Sequence, residues 1–125
     1  MAAERKQKFV VIVDDDELIR DALRGLLKEA GFSALAFASA EDFLNSGDLE
    51  RTACLIIDIR MPGLSGLELQ SRLIASRKRI PIIFITAQGD EKMRMQALRA
   101  GAVEFLTKPL NDDVLLEHVR AALEN

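Results

Sequence analysis

The chain has 125 residues, 49% of them hydrophobic and 30% charged, with a net charge of -3; this is one globular domain, neither a disordered segment nor a basic nucleic-acid surface. A single cysteine, Cys54, excludes an internal disulfide and suits a reducing compartment. No apolar run reaches membrane-spanning length and residues 1–8 lack a signal-peptide core, so the expectation is a soluble, cytoplasmic domain that binds neither membrane nor nucleic acid directly.

In chain order, strand and helix patterns alternate. Phe9-Val10-Val11-Ile12-Val13 is an apolar, β-branched run that reads as a buried strand and ends in Asp14-Asp15-Asp16. Leu18, Ile19, Ala22, Leu23, Leu26, Leu27 and Ala30 then recur at three-to-four spacing, the stripe of a helix that Gly31 stops. Residues 32–37 form a weaker, shorter strand expected at a sheet edge, and residues 40–46 a short helix. Residues 53–58 are the central strand: Leu55-Ile56-Ile57 closes on the carboxylate of Asp58 and runs into a loop at Ile59-Arg60-Met61-Pro62-Gly63. Cys54 inside it reads as a small buried hydrophobe. A helix over residues 66–76 carries Leu67, Leu69, Leu73 and Ile74.

Pro81-Ile82-Ile83-Phe84-Ile85 is the next buried strand and ends in Thr86. Residues 90–100 form a helix with Met93, Ala97 and Leu98 inward, closed by Gly101. Residues 103–106 are a short last strand that ends in Thr107-Lys108-Pro109, and the final helix, from near Asn111, buries Leu115, Leu116, Val119 and Leu123. His118, the only histidine, falls on that helix's polar side as an ordinary surface residue. Strict alternation predicts a single α/β domain over residues 1–125, its core about residues 8–123, with a parallel sheet covered on both faces.

In a parallel sheet the carboxyl ends of the strands share one edge, so Asp14, Asp15, Asp16, Asp58, Thr86 and Lys108 converge. Two like charges roughly 5 Å apart at an effective dielectric near 20 repel by about 3 kcal/mol, and a core does not keep such a cluster without a cation. Oxygen ligands in an open crevice suit Mg²⁺, and with no thiol or imidazole at hand zinc is disfavoured. Asp16 alone is assigned to capping the first helix.

Val13-Asp14-Asp15-Asp16, Asp58 with Met61-Pro62-Gly63 and Gly66, Thr86-Ala87 and Lys108-Pro109 together resemble the response-regulator receiver domain of two-component signalling, over nearly the whole chain. The run from Asp58 to Gly66, with Gly101-Ala102-Val103-Glu104-Phe105, is most similar to receivers of FixJ-type (NarL/FixJ, LuxR-output) transcriptional regulators. The resemblance implies a flavodoxin-like (βα)5 sandwich with strand order 2-1-3-4-5. It implies Asp58 as phosphoacceptor from a sensor histidine kinase, with Mg²⁺ (or Mn²⁺) held by Asp14, Asp15, Asp58 and the Arg60 main-chain carbonyl. Lys108 supplies positive charge, and its bond to Pro109 is expected to be cis. Thr86 and Phe105 are the implied switch, acting on the surface of the fourth helix, fifth strand and fifth helix, the expected face of any homodimer. Arg60 and Gln88, two residues after Asp58 and Thr86, are expected to set the phosphoryl lifetime by hindering water.

Such a chain is a signalling phosphoacceptor that assists its own phosphorylation and slow dephosphorylation, not a turnover enzyme. A haloacid-dehalogenase-type phosphatase needs a second acid two residues after the nucleophile, where Arg60 stands. A flavin carrier needs a hydroxyl-rich phosphate loop and aromatic rings to hold the flavin, and the chain has no Trp or Tyr. A degenerate, phosphate-independent docking module remains as the alternative, and the full acid, hydroxyl and lysine set argues against it. With residue 125 directly after the last helix, the expectation is either a free-standing regulator or a receiver from a longer transcription factor without its DNA-binding domain.

Overall fold

Alternation along the strands sets the layering. The computed structural model describes residues 8–87 and 91–124, in which β1 (Phe9–Val13), α1 (Glu17–Glu29), β2 (Ala34–Phe37), α2 (Ala40–Leu44), a 3₁₀ turn (Leu49–Arg51) and β3 (Thr52–Asp58) lead. There follow α3 (Gly66–Ala75), β4 (Ile82–Thr86), α4 (Glu91–Arg99), β5 (Glu104–Thr107) and α5 (Asp112–Glu124). Val11, Val13, Leu55, Ile57 and Phe84 face one side of the sheet, where Phe43 of α2, Leu69 and Leu73 of α3 and Ala97 of α4 cover them. Val10, Ile12, Cys54, Ile56, Ile83 and Ile85 face the other, under Leu23 and Leu27 of α1 and Leu115, Leu116 and Val119 of α5. Strands buried on both faces are apolar through their middles, which is why β1, β3 and β4 each carry an apolar run, residues 10–13, 54–57 and 82–85. Cys54 is among these fully buried side chains, and burial pushes its thiol up to about 12.

The five strands are parallel in the order β2-β1-β3-β4-β5, the order the resemblance implies. Val13 lies beside Ile57, Asp58 beside Ile85 and Thr86 beside Thr107, so four strands end level at one edge.

Several boundaries differ from the periodicity. β5 spans Glu104–Thr107 rather than residues 103–106, leaving Val103 partly exposed; pairing with β4, Glu104 against Ile83 and Thr107 against Thr86, sets its extent. Leu18, counted in the apolar stripe of α1, is 79% exposed in the first turn of the helix that Asp16 caps. Ile74 is likewise exposed on the outer side of α3, β2 begins at Ala34, and α2 stops at Leu44 with Asn45 as its cap. The start of α4 expected at Asp90 lies outside the described residues.

Gly66 opens α3 directly against the end of β3. A Cβ there would lie 2.9 Å from the Asp58 carbonyl oxygen, 2.9 Å from Ile59 Cα and 3.0 Å from the Phe84 ring, two of these being backbone that cannot swing aside. Gly66→Ala is therefore expected to lift the start of α3 and cost about 2 kcal/mol, read as a lower urea midpoint at unchanged slope. An unchanged midpoint would mean that the helix start yields freely.

Candidate functional site

The acidic edge is assembled from strand ends two to four segments apart. Asp14, the first residue after β1, is fully buried; its Oδ1 accepts the Asp16 N–H at 2.9 Å and its Oδ2 accepts from Lys108 Nζ at 3.3 Å. Asp58 closes β3; its Oδ1 accepts the Arg60 N–H at 2.9 Å and its Oδ2 accepts from the same ammonium at 3.2 Å. Asp15 is exposed, and one carboxylate oxygen each from Asp14, Asp15 and Asp58 lie within 4.8 Å of one another. Asp16 stands apart as expected, its Oδ1 accepting the Leu18 N–H at the start of α1.

Lys108 is carried in by the end of β5. Its N–H donates to the Thr86 carbonyl at 2.7 Å, its bond to Pro109 is cis, and its side chain is 20% exposed. Thr86 is fully buried at the end of β4, one strand over from Asp58. Arg60 is exposed in the β3–α3 loop, and its backbone N–H reaches Asp58. Gln88 lies outside the described residues. Phe105 is not part of the cluster: it lies on the face covered by α2, α3 and α4, 7% exposed, its ring centroid 6.4 Å from that of Phe84 at 45°.

Burial raises the pKa of Asp14, the Asp16 N–H and the Lys108 charge work against that, and the Asp58 charge adds to it. Burial alone pulls the Lys108 ammonium down, but Asp14 and Asp58 together outweigh it, so its pKa is raised and it stays charged. Three carboxylates against one ammonium leave a negative pocket of hard oxygen donors, with no thiol or imidazole among the clustered groups. The donor set of Asp14, Asp15 and Asp58 fits a hard divalent cation.

Two contacts of this edge escape sequence reasoning. Arg20 Nη1 donates to the Asp14 carbonyl oxygen at 2.7 Å, folding back from the first turns of α1 over the end of β1. Glu41 of α2 accepts the Leu64 N–H at 3.2 Å, across 23 positions of chain. The only local signal for either was a charged residue early in a helix. His118, expected on an open surface, is half-buried: its Nε2 lies 3.6 Å from Glu104 Oε2 on β5. Among the described residues no helix is long and apolar enough to cross a membrane.

The response regulator receiver domain family matches residues 10–120. The response regulator protein TodT of Pseudomonas putida is 44% identical over 119 residues, covering 95% of this chain and 52% of that protein. Nodulation protein W of Bradyrhizobium diazoefficiens is 45% identical over 116 residues, covering 93% of this chain and 51% of that protein. The crystal structure of FixJ-N superposes with a TM-score of 0.85 at 39% identity, covering 97% of each chain. The chain thus spans about half the length of the curated relatives it matches.

Proposed function

The chain belongs to the response regulator receiver domain family of two-component signalling, and from that premise we propose that it stores a signal as a phosphoryl group on Asp58. The observation that carries this reading is Lys108 Nζ within 3.3 Å of both Asp14 and Asp58, beside the exposed Asp15. A carboxylate oxygen of Asp58 attacks the phosphorus of a phosphohistidine on a sensor histidine kinase. The O–P bond forms as the P–N bond breaks, and the imidazole leaves with the bonding electron pair. The Lys108 ammonium, already a donor to Asp58, transfers a hydrogen bond to a phosphoryl oxygen, with Asp14 keeping it in place. Asp14, Asp15, Asp58 and the Arg60 carbonyl would hold Mg²⁺, for which Mn²⁺ would substitute. When bound, that ion supplies charge neutralisation to the phosphoryl oxygens.

In the same reading Arg60 and Gln88 flank the phosphoryl group and slow attack by water. The Thr86 hydroxyl donates to a phosphoryl oxygen, and Phe105 passes the change to the α4–β5–α5 surface. The Phe105 ring is buried against Phe84, and the phosphoryl group biases the Thr86–Phe105 pair toward an inward ring. That surface is the proposed homodimer face, and the proposed output is transcriptional, as the names of the relatives indicate for those proteins.

Incubation with acetyl phosphate, followed by intact mass measurement, tests the reading. The expected result is one phosphoryl adduct in Mg²⁺ and none in EDTA. No adduct in either condition would overturn it.

A further inference from the structure

Glu41 has no part in the chemistry above, yet two observations tie it to the loop that follows Asp58. Its Oε2 accepts the Leu64 N–H, and a Cβ on Gly63, whose φ is +74°, would lie 2.5 Å from that same oxygen. The carboxylate is therefore seated against backbone that only a glycine leaves bare. The loop is held at its start by the Arg60 N–H on Asp58 Oδ1 and at its end by the reciprocal Ser65–Glu68 cap of α3. Between these anchors Gly63 has the widest backbone freedom and is the pivot open to the loop, with the buried Leu64 side chain as the other restraint beside Glu41.

We propose that Glu41 is a positioning residue for the phosphoacceptor loop: by holding the Leu64 N–H it stops that pivot and keeps the Arg60 carbonyl in register with the Asp58 carboxylate. The functional half of this inference rests on the phosphoacceptor reading. Its physical basis is that a group ordering the shell around a cation site acts through the geometry of others. Glu41 also lies in the first turn of α2, where a negative charge favours the helix, so the test must separate the accepted hydrogen bond from the charge.

The experiment compares E41A and E41Q with the parent in two measurements, amide exchange at Leu64 by NMR and Mg²⁺ affinity by titration calorimetry. Glutamine keeps an acceptor oxygen and discards the charge. The expected result for E41A is faster exchange at Leu64, with the β1 and β3 amides unchanged, and a Mg²⁺ Kd weakened roughly tenfold. E41Q is expected to stay near the parent in both. Unchanged exchange and affinity in E41A, or E41Q failing as badly as E41A, would overturn the proposal. A parent chain with no Mg²⁺ affinity would instead sink the functional half, and Leu64 exchange would still decide whether Glu41 holds the loop.

Discussion

Asp58→Asn is expected to abolish phosphoryl uptake, lowering acetyl-phosphate labelling by more than about a thousandfold, as loss of a covalent nucleophile does. An asparagine fits the same space and its carbonyl oxygen can still accept the Arg60 N–H that Asp58 Oδ1 accepts now, but an amide is not a nucleophile toward phosphorus. The variant is not expected to fail by unfolding. Removing one of three clustered carboxylates relieves repulsion on buried Asp14, whose pKa the Asp58 charge helps to raise. Against this, Lys108 loses one of its two charged partners. The balance in metal-free protein is a gain of about 1 kcal/mol, seen as a higher urea midpoint. Labelling lost together with a higher midpoint identifies Asp58 as the acceptor. Labelling retained in Asp58→Asn would move the phosphoryl group to another side chain.

The parts of the fold that were legible are those in which physics leaves little choice. β1, β3 and β4 lie inside a sheet covered on both faces, so each runs apolar toward the open edge, and a polar residue, Asp14, Asp58 or Thr86, marks that edge. Asp14 and Asp58 were readable for this reason, before any likeness to known proteins. β5 lies at the sheet margin with β4 as its one neighbour, so pairing register rather than composition sets its span, and Val103 fell outside it. Leu18 shows the limit of helical periodicity: the repeat includes it, but nothing in the repeat says whether a neighbouring element covers the first turn of the helix, and Leu18 is 79% exposed. Arg20, Glu41 and His118 were opaque because their partners are fixed by topology. The carbonyl that Arg20 reaches, the Leu64 amide under Glu41 and the Glu104 carboxylate beside His118 come from other elements. The convergence of Lys108 and Asp14, across 94 positions, was legible from the shared carboxyl edge of a parallel sheet, and only the direct ion pair needed the structure.

Lys108→Met should be the most destabilising of the substitutions at this edge, costing about 3 kcal/mol at neutral pH without divalent cations. Methionine keeps an apolar stem of similar length, so what is lost is the ammonium between a fully buried Asp14 and a nearly buried Asp58. Removing one member of such a set strands the others without a countercharge, which costs more than the contact itself was worth. The pH dependence follows from Asp14. Its pKa in the fold already stands above the ordinary 3.8, with burial the main cause and Lys108 a counterweight. The stability that its proton contributes is therefore fully present below the unfolded value and is lost as pH rises through the folded one. Without Lys108 the folded value climbs further and the window of loss widens upward. Urea unfolding in EDTA at neutral pH and at about pH 5 should show the variant recovering part of its deficit on acidification, more than the parent does. Added Mg²⁺ should recover stability at neutral pH, because a cation that binds only the folded chain shifts the equilibrium toward it. Equal stability of variant and parent at both pH values would mean that the lysine attends only a bound phosphoryl group and that buried Asp14 is neutral in the resting protein.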